Sequence, residues 1–81
     1  MFSENLSPEL AELLCRIARE KPSLTSLFNR EGPDVLNKIA TLERLGLAVK
    51  LGDGTLLPTV SGAMIAQHIR EIERILRGAG A

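Results

Sequence analysis

Residues 33–59 read PDVLNKIATLERLGLAVKLGDGTLLPT, and the punctuation of this stretch decides the fold. Pro33 suits the first turn of a helix, where a backbone N–H has no partner to lose, and Asp34 complements the positive end of the helix dipole. Val35, Ile39, Leu42 and Leu45 recur at spacings of four and three, which places them on one helical face. Gly46 follows the last periodic residue and can take the left-handed conformation that closes a helix. Beyond it, Leu47-Ala48-Val49-Lys50-Leu51 and Thr55-Leu56-Leu57 are short apolar-rich runs on either side of Gly52-Asp53-Gly54. An Asp-Gly pair between such runs signals a tight hairpin. The stretch therefore predicts a helix, a glycine stop, and two strands joined by a turn.

Upstream, Ser7-Pro8-Glu9 combines a hydroxyl cap, a proline at the first helical position and an acid in the first turn. Leu10, Leu13, Leu14 and Ile17, with Ala11 and Ala18, form the apolar stripe of a first helix, which Pro22 ends near Lys21. Ser23 caps a short second helix whose Leu24, Leu27 and Phe28 are expected to face the core. Asn29-Arg30-Glu31-Gly32 is the turn into the third. Downstream, Thr59 caps a last helix carrying Met64, Ile65, Ile69, Ile72, Ile75 and Leu76. The pattern predicts helices over 7–21, 23–30, 33–45 and 59–77, a loose arm over 1–6 and a frayed tail over 78–81. The chain reads as one domain without repeats or linkers. Its class is mainly α with a small β-hairpin (α+β), and Ile39 is expected at the centre of the core.

Two segments resemble the winged helix-turn-helix domains of small MarR- and PadR-like prokaryotic transcription regulators. Leu42-Glu43-Arg44-Leu45-Gly46-Leu47-Ala48 is similar to that family's "L-E-x-x-G-L-[VI]" segment. Leu57-Pro58-Thr59-Val60-Ser61-Gly62 is similar to its "L-T-x-x-G" segment before the last helix. The resemblance covers nearly the whole chain. It implies a three-helix core plus a wing and a C-terminal helix, with double-stranded DNA as partner and the third helix in the major groove. Winged helices also serve as protein-binding modules, so the same resemblance leaves a protein–protein interaction module open.

Composition narrows the chemistry. Ten basic and ten acidic residues cancel, and only two aromatics, Phe2 and Phe28, occur in 81 residues. The core must therefore be built from Leu, Ile and Val, and no aromatic base-stacking surface is available. Any DNA contact has to come from a local patch rather than from overall charge. One cysteine, Cys15, permits no intrachain disulfide and no cysteine-cluster metal site. No stretch reads as a signal peptide or membrane span, so a cytoplasmic protein with no membrane contact is expected. No phosphate loop, nucleophile–base pair or carboxylate pair stands out, so neither catalysis nor a cofactor is expected.

The candidate DNA-binding residues are Arg30 in the turn, Asn37, Lys38, Thr41 and Arg44 on the third helix, and Lys50 on the hairpin. With Val35, Ile39 and Leu42 facing in, those of the third helix are expected to face out. There Asn can pair with an adenine edge, Arg or Lys with a guanine edge, and Thr with a thymine methyl. Leu36 and Ala40 add apolar surface to the same helix, and Asp53 at the hairpin tip would be repelled by phosphate. Both features suit a protein partner. On the last helix, Ile65, His68, Ile72 and Ile75 follow an a/d-like spacing. His68, Ile69, Ile72, Ile75 and Leu76 are accordingly the candidate homodimer interface. The competing account folds this end back against Phe2, Leu6 and the first helix.

Overall fold

A computed structural model describes residues 6–80. Four helices and one two-stranded antiparallel sheet follow in the order α1 (Pro8–Glu20), α2 (Leu24–Glu31), α3 (Asp34–Arg44), β1 (Ala48–Lys50), β2 (Leu56–Pro58) and α4 (Val60–Gly80).

Each boundary has a local cause. Ser7 Oγ accepts the Leu10 N–H at 3.2 Å, and Pro8 occupies the first turn of α1. Lys21 closes α1 in the left-handed region (φ 48°), directly before Pro22. Ser23 Oγ accepts the Ser26 N–H at 3.1 Å and opens α2. At the end of α3, Gly46 takes φ 76°, and Leu47 N–H reaches back to the Leu42 carbonyl at 2.9 Å. That is the long return bond of a glycine-closed helix end. Thr59 joins α3's end to α4's start. Its Oγ1 accepts the Gly62 N–H at 3.0 Å and donates to the Gly46 carbonyl at 2.7 Å.

The hairpin pairs Ala48 with Pro58, Val49 with Leu57 and Lys50 with Leu56. Leu47, expected to begin the strand, instead forms the buried bend before it. One feature is absent from the local pattern. Leu24 N–H bonds the Gly54 carbonyl and Leu56 N–H bonds the Pro22 carbonyl, both at 2.8 Å. The α1–α2 connection thus lies against the hairpin as a strand-like third edge, with Ser23 bridging Thr55.

The core holds Leu13, Leu14 and Ile17 of α1, Leu27 of α2, Val35, Ile39 and Leu42 of α3, Leu47, Ala48 and Leu56 around the hairpin, and Ala66 of α4. Ile39 is buried, yet the element that the others meet is α1, which packs against α4, β2 and α3. The centre therefore sits two helices earlier than the periodicity suggests. Gly62 permits the closest approach: a Cβ there would collide with the Leu47 carbonyl oxygen.

Several expectations shift. Phe28 and Leu45 sit at the edges of their stripes and stay 41% and 39% exposed. Leu10, Ala11, Ala18 and Leu24 are half-buried rather than enclosed. Leu6, expected in a loose arm, packs against the core, whereas residues 1–5 of that arm lie outside the described residues. The backbone of α4 stays helical through Gly80, past the expected end at Arg77. No proline interrupts it, and Arg77 in its last turn favours the negative end of the dipole.

Candidate nucleic-acid interface and the open face of the last helix

Helices α2 and α3 are joined by only Gly32 and Pro33, with Gly32 at φ 87° turning the chain. Because Val35, Ile39 and Leu42 point inward, the opposite side of α3 presents Asn37, Ala40 and Arg44 to solvent. Leu36 flanks them at 41% exposure. Thr41 is half-buried, and its hydroxyl donates to the Asn37 carbonyl at 2.9 Å. Arg44 Nη2 reaches the same hydroxyl at 3.5 Å, so Thr41 orients Arg44 and has no free donor of its own.

Lys38 departs from expectation. It lies three residues after Val35 and beside Ile39, at the edge of the buried stripe, so its stem runs toward α1 instead of outward. Its Nζ sits 3.7 Å from Glu9 Oε2 in the first turn of α1. Arg30, expected in the turn, lies in the last turn of α2, which continues to Glu31; it is exposed, and its Nη1 lies 3.7 Å from Glu20 Oε1. Lys50 is exposed on β1 and Arg44 on α3, and neither makes an ion pair among the described residues. The four cations named from the sequence are thus two paired with acids of α1 and two open. Glu9 and Glu20 are the residues that sequence reasoning missed. No local signal marks them, because both pairings join residues far apart in the chain.

Asp53 has a structural partner. Its Oδ1 accepts the Thr55 N–H at 2.9 Å and closes the hairpin turn. That hydrogen bond, helped by the Thr55 hydroxyl, holds its carboxyl below the ordinary carboxylate value. Cys15 is half-buried, with Sγ 3.9 Å from the Ala66 carbonyl, and burial followed by nearby Glu73 pushes its thiol upward. It is held as a protonated thiol and behaves as a small apolar contact between α1 and α4.

The second feature is an open face on α4. This helix runs antiparallel to α1: Ala63 lies near Ala18, Ala66 near Cys15 and Glu73 near Pro8. Past Glu73 it extends beyond the start of α1, and the molecule measures 41 × 26 × 19 Å. Beside α1 a groove of about 700 Å³ is lined chiefly by Leu6, Ala11, Met64, Ile65, Ile69 and Ile72, with His68 on its rim. Of the candidate interface residues, Ile69 is half-buried and turned partly toward α1. His68 is exposed, and Ile72, Ile75 and Leu76 are 44%, 68% and 67% exposed.

Among the described residues, no group of three His, Cys, Asp or Glu side chains converges in a way that could hold a metal ion. No helix among them is long and apolar enough to cross a membrane. Comparison with family models, with curated proteins and with solved structures gave no match for this chain.

Proposed function

We propose that this chain is a winged helix-turn-helix module that binds double-stranded DNA as a transcription regulator, with α3 in the major groove and the hairpin as the wing. The observation that carries the reading is the uncovered outward face of α3, where Asn37 and Arg44 stand exposed one short turn after α2. An α-helix so presented fits the major groove, and those two side-chain types can read adenine and guanine edges. Support also comes from the wing, which is braced against the α1–α2 connection, packs on α3 through β1 and carries the exposed Lys50. Arg30, exposed in the last turn of α2, adds a cation near that end of the helix pair.

A second reading, a protein-docking module of the same fold, is favoured by a specific observation. Glu9 and Glu20 interrupt the positive stripe at Lys38 and Arg30, and Leu36 adds apolar surface to α3.

A gel-shift titration against mixed-sequence DNA at two salt concentrations separates the readings. Replacing Arg44 and Lys50, the two open cations, together by Ala should weaken binding and lower the salt slope by about two, one for each cation lost. Lys38→Ala should matter less, since its ammonium is turned toward α1. Wild-type protein without measurable affinity at low salt would leave the docking module as the reading.

A further inference from the structure

We infer that Thr41 is a positioning residue, whose hydroxyl holds Arg44 for a guanine edge without touching DNA itself; this role rests on the reading of α3 as the groove helix.

Asn37, Thr41 and Arg44 are spaced four and three, so they share one flank of α3. The Thr41 hydroxyl donates to the Asn37 carbonyl at 2.9 Å, which leaves its lone pairs to accept. Arg44 Nη2 reaches that oxygen at 3.5 Å. Thr41 is half-buried, whereas Asn37 and Arg44 stand exposed on either side of it. A recessed side chain whose one donor is committed to the backbone is badly placed to read a base. It is well placed to steer its neighbour.

This tie differs in kind from those of the paired cations. Glu9 and Glu20 hold Lys38 and Arg30 and offset their charge. A neutral hydroxyl gives Arg44 a direction and leaves its charge whole, and among the described residues Arg44 makes no ion pair. Arg44 is the last residue of α3, where an untied guanidinium can swing to the final carbonyls of its own helix. With Nη2 tethered, the rest of the fork stays available for the O6 and N7 of guanine, a pairing that needs a fixed plane as well as a charge. Seven residues set Asn37 and Arg44 about 10 Å apart along the helix axis. Successive bases of one strand are about 3.4 Å apart, so the ligand this geometry fits is a duplex with an adenine and a guanine about three base pairs apart.

Sites that the wild-type protein selects from random duplex DNA serve as the probe. Titration of wild type and Arg44→Ala against single-base variants of a selected site identifies the guanine that Arg44 reads, since replacing that base weakens wild type and leaves Arg44→Ala unaffected. Wild type should prefer this guanine by roughly 5–150-fold, the discrimination of a bidentate pair. Thr41→Val should lower the preference roughly threefold or more at that base alone. Its salt slope should stay at the wild-type value, because no charge is lost. Thr41→Ser keeps the hydroxyl and should restore the preference. Should circular dichroism show Thr41→Val unfolded, Thr41→Ala, a better helix former, takes its place. A folded variant without the hydroxyl that keeps the full guanine preference overturns the inference. So does a loss spread over all bases, a changed salt slope, or the lack of any guanine that depends on Arg44. Wild-type protein that binds no DNA at low salt is a different result: it removes the DNA reading, and this role of Thr41 with it.

Discussion

Asp53 occupies the hairpin tip, where an acid disfavours phosphate contact, and its carboxylate has a task that a basic residue could not perform. It accepts the Thr55 N–H at 2.9 Å, in a turn whose Gly54 takes φ 91°. Because that bond favours the ionised form, the folded pKa lies below the ordinary 3.8. A carboxyl with a depressed folded pKa contributes stability that is present above its unfolded pKa and lost as pH falls through the folded one. The hairpin should therefore stay closed through mild acid and loosen only below the ordinary carboxylate range. The pH dependence of the Thr55 amide shift and its hydrogen exchange report this directly. A midpoint below 3.8 is expected, and Asp53→Asn should abolish the titration. A midpoint at or above the ordinary value would show that the bond is not formed in solution. Thr59 is the other residue whose role exceeds its appearance: one hydroxyl caps α4 and ties it to the end of α3.

At the scale of elements, helix starts and stops were legible to within a residue or two wherever a cap decided them. Ser7, Ser23 and Gly46 act in the structure as their types imply, because capping is local chemistry. Burial was less legible. Lys38, Leu45 and Phe28 all sit at stripe edges, where the angle of the neighbouring helix decides whether a side chain is covered, and no local pattern encodes that angle. The pairing of Pro22 and Ser23 with the hairpin escaped for the same reason: it joins segments some thirty residues apart. Packing also moves the centre of the core to α1. Ile39 and Leu14 are 3% and 0% exposed, and truncating either should cost about 2–5 kcal/mol. Leu14→Ala should be at least as costly, since α1 meets three other elements. Urea denaturation of the two variants checks the order, and a much larger loss for Ile39→Ala would return the centre to α3.

For the whole molecule the decisive quantity is how ten basic and ten acidic residues are arranged. Overall neutrality was legible from composition, but the pairing was not, and it sets how strongly α3 and its surroundings can attract phosphate. Glu9 holds Lys38 and Glu20 holds Arg30, each across 3.7 Å on the surface. Exposed pairs of this kind are worth only about 0–1 kcal/mol, so a DNA phosphate can compete for the cation. Removing the acids should then help binding by a bounded amount. Glu9→Gln with Glu20→Gln should raise affinity for mixed-sequence DNA at low salt by no more than about fivefold per pair, and the salt slope should steepen. The slope is the sharper measure, because each cation newly engaged with phosphate releases further counterions. Glu12→Gln is the control. Its carboxylate lies 4.0 Å from Arg16, which also pairs with Glu31 and belongs to no candidate contact. An unchanged slope in the double variant, beside a measurable wild-type affinity, would show that Lys38 and Arg30 stay clear of the phosphates and that Arg44 and Lys50 carry the contact.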